Sequence, residues 1–212
     1  MKLGIYITLF LSCFSLIVSA QISAITETGD AVVLYTDGTW TYVDGEALDA
    51  KEIPTNKKKF EKDKASTFLL KSNKVDLGFY LDPKKWTFTK AKSNEEAEYE
   101  LQLKDADLYG MIITEKFEMP LETLRNLALE NGRSVAPDLK IMTEEYRMVN
   151  GLKVLFLQMN GSTQGIKFSY FGYYFSSELG TVQFITYTSQ NLLSTYEKDC
   201  EKLLSGLVPL KD

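Results

Sequence analysis

The chain has 212 residues, with 24 Lys or Arg against 29 Asp or Glu, no histidine and two cysteines. A formal net charge of −5 leaves no electrostatic footprint for nucleic acid or anionic lipid. Without histidine there is no Ser-His or Cys-His pair, and two cysteines cannot build a zinc or iron–sulfur site.

The first 20 residues, MKLGIYITLFLSCFSLIVSA, carry one charge, Lys2, then an apolar run that closes on Val18-Ser19-Ala20. This is the pattern of a secretory signal peptide, with Gln21 the first mature residue of an exported bacterial protein, periplasmic or secreted. A membrane anchor is the competing reading. The run is interrupted by Thr8, Ser12 and Ser15 and lacks a basic stop-transfer flank, so no stable membrane insertion is expected after cleavage. Lipid attachment at Cys13 is a further alternative, but a lipoprotein cysteine ends the apolar run and Cys13 sits midway through it. Cys200 alone survives cleavage, which excludes an intrachain disulfide. Tyr196, Leu203, Leu204 and Leu207 surround it at helical spacing, which reads as a small core residue.

Residues 21–43 read as a three-stranded β-meander with turns near Gly29 and Asp37-Gly38. Residues 44–65 are more than half charged, have Phe60 as their one aromatic, and read as a linker. Its Lys57-Lys58-Lys59 run reads as a solvated stretch rather than a polyanion site.

Residues 66–212 form the main domain. Strands are expected at 66–71, 77–81, 99–103 and 108–117. A helix should start at Pro120, carry the stripe Leu121, Leu124, Leu127 and Ala128, and end at Gly132. A hairpin follows about Asn150-Gly151, and Asn160-Gly161 reads as the next turn, before a strand at 166–175. A strand over 181–187 leads to a last helix with a Ser194/Glu197 capping box, closed by Gly206. The segment 167–175 is aromatic at both parities, with Phe168, Tyr170 and Tyr174 on one face and Phe171, Tyr173 and Phe175 on the other. A strand apolar on both faces lies in a sheet covered on both sides. The expected fold is therefore α+β: an antiparallel sheet of about six or seven strands flanked by helices, after a small N-terminal β-meander.

The order GFYLDPKKWTF, mid-chain helix, Asn150-Gly151 hairpin, then YYFSSELGTVQFITYT into a closing helix resembles the PsbP-like family over about residues 66–210. The resemblance implies an antiparallel sheet sandwiched by helices. Its members include accessory subunits of the photosynthetic oxygen-evolving complex, a nuclear-import factor that binds a small GTPase, and exported bacterial proteins. A non-enzymatic binding or assembly module is what it implies, with no functional residue to carry over.

The residues offer little chemistry. Asp105 and Asp107 read as a strand-to-strand turn rather than a calcium loop. Glu144-Glu145 and Glu95-Glu96 are adjacent pairs, and neighbours in a strand point to opposite faces. Catalytic residues: none; metal ligands: none; cofactors: none. The partner-binding candidates are Trp40 and Tyr42, on one face of the meander, because such aromatics anchor interfaces. Three functions stay open at this level. The first is a non-catalytic binding or assembly module of the cell envelope, with an envelope protein as partner. The second is a carrier of a small apolar ligand behind the 167–175 strand, and the third a histidine-free carboxylate hydrolase.

Overall fold

The computed structural model of the chain describes residues 22–26, 31–35, 38, 40–42, 52–92 and 96–210. The expected signal peptide, Glu95 and residues 43–51 lie outside them. Three short strands, β1 (Ile22–Ile25), β2 (Ala31–Leu34) and β3 (Trp40–Tyr42), pair antiparallel into a small sheet.

The main body begins earlier than residue 66. The lysine-rich stretch expected to be linker contains β4 (Thr55–Phe60), which pairs parallel with β10 (Lys140–Val149) at one edge of the large sheet. Phe60 is 3% exposed in the core, while Lys57, Lys58 and Lys59 face solvent. One buried aromatic anchors the strand, and a lysine-studded outer strand discourages pairing with another chain. The composition of 44–65 hid this because an edge strand buries so little of itself.

The remaining strands are β5 (Phe68–Lys71), β6 (Leu77–Leu81), β7 (Trp86–Lys90), β8 (Ala97–Leu103), β9 (Leu108–Glu115), β11 (Leu152–Thr163), β12 (Ile166–Ser177), β13 (Gly180–Ser189) and β14 (Leu207–Pro209). The helices are α1 (Leu121–Val135) and α2 (Leu193–Leu204). The large sheet has eight strands in the order β4-β10-β11-β12-β13-β9-β8-β7, all antiparallel except the β4–β10 pair. Strands β14-β6-β5 form a separate three-stranded sheet. The expected single antiparallel sheet of six or seven strands is thus corrected to a mixed sheet of eight and a second sheet of three. Alternation along a strand reveals which residues are buried, not which sheet the strand joins.

Aromatics of β12 divide between two cores. Phe171, Tyr173 and Phe175 join Phe156, Ile112 and Phe184 under α2 and the small sheet, which contributes Leu77, Phe79 and Leu207. Tyr174, with Phe168 and Tyr170 beside it, joins Leu155, Leu157 and Met159 under α1. Both faces are covered, as the double aromatic parity requires.

Two glycines depart from their expected roles. Asn150-Gly151 makes the hairpin turn, with φ of 48° and 89°. Asn160-Gly161 does not turn. It lies inside β11, and the chain reverses at Gln164-Gly165, with φ of 50° and 81°. A Cβ on Gly161 would meet Leu139 Cδ1 at 2.8 Å and Ala136 Cβ at 3.2 Å, so glycine there admits the loop after α1. Gly132 likewise sits within α1, which runs on to Val135, because Leu139 presses against it. The Ser194/Glu197 box does not cap α2. Its N-cap is Leu192, no side chain caps it, and a 3₁₀ turn over Gln190–Leu192 leads in.

Candidate functional site

Helix α1 is fastened to the sheet along one flank. Arg125 donates to both carboxylate oxygens of Glu144, and the Tyr146 hydroxyl donates to Glu122 at 2.6 Å. Both ties run to β10. Desolvation and that carboxylate push the Tyr146 phenol well above its usual range, and the same hydrogen bond holds Glu122 below its own. Leu124 and Ala128 then point down onto β11 and β12.

The opposite flank opens onto β13 and β9. A cavity of about 280 Å³ lies there. Its floor is Met111, Ile113, Met159, Tyr170 and Ile185, and Ala128 forms its helix wall. Asn131, Ser134 and Gln183 make a polar rim, and Val135 at the helix end is 56% exposed. Tyr174 lines the cavity while only 1% exposed. Beyond the floor the same sheet face continues as a row of rings. Phe168 and Tyr170 are 4.9 Å apart, Tyr170 and Tyr187 6.1 Å, and Tyr187 stacks on Tyr109 at 5.6 Å. Burial raises the phenols of Tyr170 and Tyr187, so both stay neutral. The volume is near the lower end of ordinary ligand pockets, and an apolar lining with a few polar groups is their usual build.

Sequence reasoning reached the strand behind this site but not its lining, apart from Tyr170 and Tyr174. Met111, Ile113 and Ile185 read as ordinary strand residues. What makes them a floor is that α1, the one helix on this face among the described residues, stops short of them.

Trp40 is 51% exposed and meets Tyr42 edge-on at 5.2 Å, so the two do share a face. The register adds Leu34 and Val32, opposite Trp40 and Tyr42, to that face. Asp105 lies in the β8–β9 turn with φ of 55°. Glu144 and Glu145 part as strand neighbours should, Glu144 to Arg125 under α1 and Glu145 to Arg147 on the other face. Among the described residues, no group of three or more acidic, His or Cys side chains could hold a metal ion. Cys200 is fully buried, and desolvation pushes its thiol up to about 11. Among those same residues, no helix is long and apolar enough to cross a membrane.

No protein-family model matches the chain, and no curated protein does. Its fold is similar to the solution structure of cyanobacterial PsbP (CyanoP) from Synechocystis sp. PCC 6803. The identity is 14% and the TM-score 0.53, over 68% of this chain and 93% of that one. Two further structures align less well. One is a protein of unknown function from Pseudomonas aeruginosa, a putative regulator (12% identity, TM-score 0.45, 68% of this chain and 98% of that one). The other is LpqN, involved in cell envelope biogenesis of Mycobacterium tuberculosis (11%, 0.44, 66% and 88%). The chain has a PsbP-like fold.

Proposed function

Starting from that fold, we propose that the chain is an exported, non-catalytic binding module of the bacterial envelope that holds a small apolar ligand between α1 and the sheet. The observation that carries this reading is the 280 Å³ cavity left where α1, whose Arg125 and Glu122 are tied to β10, fails to cover β9 and β13. A histidine-free chain with a PsbP-like fold supports the non-catalytic part, and the N-terminal 20 residues support export. The test is native mass spectrometry of the mature protein taken from its own envelope, with titration of the neutral dye N-phenyl-1-naphthylamine. A bound mass, and dye fluorescence lost in Ile113→Trp, are expected. A ligand-free spectrum together with no dye binding would remove the reading.

A second reading keeps its own observation. The Trp40–Tyr42 pair, with Trp40 exposed and Tyr42 half-buried, has the composition of a protein-binding anchor. An envelope protein cross-linked to the full mature chain, and lost in a Trp40→Ala/Tyr42→Ala variant, would make the meander an assembly contact.

A further inference from the structure

The back of the α1 cavity carries the hydroxyl of Tyr174, and the Tyr170 phenol is the other in its lining. Tyr174 is 1% exposed, lies on β12 beneath α1, and makes no hydrogen bond with any described residue. Nor is that oxygen sealed away. The one fully enclosed side-chain oxygen or nitrogen lacking a partner among the described residues is Thr123 Oγ1, so the Tyr174 hydroxyl opens on the cavity that its side chain lines. A buried phenol left without an acceptor is uncommon, because buried polar groups are almost always paired. Burial also raises its pKa, so the group remains an O–H donor at any physiological pH.

The rest of the lining narrows the ligand further. Met111, Ile113, Met159, Ile185 and Ala128 offer no hydrogen bond of consequence to a ligand. Among the described residues no Lys or Arg lines the cavity, and the charged side chain that does is Glu96, an acid. An anionic ligand would enter an apolar slot with no cation to meet it, which is strongly unfavourable. Asn131, Ser134 and Gln183 at the rim are neutral hydrogen-bonding groups suited to the outer end of such a molecule.

Resting on the ligand-binding reading above, we infer that the cavity selects a neutral apolar molecule with one acceptor oxygen, a ketone, ester or similar carbonyl, that takes the Tyr174 hydroxyl as its donor. Fatty-acid anions and plain hydrocarbons are both discriminated against, the first by charge and the second by leaving the phenol unpaired. At the volume a water molecule occupies in the liquid, the cavity admits roughly ten non-hydrogen atoms.

Three probes of matched length separate the possibilities on the full mature chain: 2-nonanone, nonane and nonanoate. Binding is read from the methyl NMR signals of Met111 and Met159. The wild type should bind 2-nonanone about tenfold more tightly than nonane, the worth of one hydrogen bond, and nonanoate more weakly still. Tyr174→Phe, which keeps the ring and its packing, should abolish the preference for the ketone, weakening the ketone and tightening nonane, because no phenol is then left unpaired. Equal binding of ketone and alkane by the wild type, or a preference that survives Tyr174→Phe, overturns the inference while the apolar site stands. Tighter binding of nonanoate than of the ketone also overturns it. If none of the probes moves either methyl, the binding reading fails along with it.

Discussion

Arg147 shows how much one side chain can hold together. It is 7% exposed, with its guanidinium carbon 3.7 Å from the ring centre of Phe156 and 4.5 Å from that of Phe60. Its Nε donates to Glu145 at 2.6 Å, and Glu201 of α2 lies 3.8 Å away. One cation therefore joins β4, β10, β11 and α2, stacked on rings and paired at its edge, the geometry that suits arginine and not lysine. Arg147→Ala should cost about 2–4 kcal/mol in urea unfolding, since it leaves Glu145 with Asn56 Nδ2 as a donor but no paired cation, and opens a gap beside two rings. Arg147→Lys should recover only part of that. Cys200 makes a second residue-scale prediction. With the folded thiol near 11 and an unfolded cysteine near 8.5, burial contributes no pH dependence below pH ~8.5. Above it the unfolded chain ionises first, and stability falls as the pH rises toward 11. Iodoacetamide at pH 8 should leave the native thiol unmodified and label it only once urea unfolds the chain. Tyr174→Phe should leave the melting temperature of the ligand-free protein unchanged or raise it, because the hydroxyl it removes has no protein partner.

Elements here take their places from contacts the local sequence does not announce. Asn150-Gly151 and Asn160-Gly161 are the same dipeptide between apolar runs, yet one turns and the other continues a strand. The first is held by Asn150 Nδ2, which donates to the carbonyls of Ser205 and Leu207. The second is glycine so that the 136–139 loop can lie on β11. Gly206 is of the latter kind. A Cβ there would collide with the Tyr80 carbonyl, while its own carbonyl accepts from the Tyr80 N–H at 2.8 Å. That bond steers the chain from α2 into β14 and fixes the small sheet. Gly206→Ala should destabilise by about 3 kcal/mol or more, because backbone rather than a pliable side chain must move. Circular dichroism melts would show a drop far larger than for alanine at Gly38, where a Cβ meets nothing and the φ of 83° is the one source of strain.

For the whole molecule, the boundary of the folded body matters most. Neither core cluster contains a described residue before Ile53, and Ile53 itself packs under α1. A chain beginning at 52 should melt like the mature protein. One beginning at 66 loses β4 and Phe60, exposes the edge of β10, and should melt lower and aggregate. The sequence by itself determined the α+β class, the two-faced β12, the hairpin at Asn150-Gly151, the burial of Cys200 and the lack of histidine chemistry. These follow from periodicity and composition, which act over a few neighbouring residues. It did not determine that β5, β6 and β14 leave the main sheet, that a lysine-rich stretch closes its edge, or that α1 stops short of β9. Those depend on which strand edges and helix flanks meet across long stretches of chain, where the local pattern is the same for either outcome. The cavity is the clearest case, since it is made by the place where one helix ends relative to strands roughly 20 to 50 residues away.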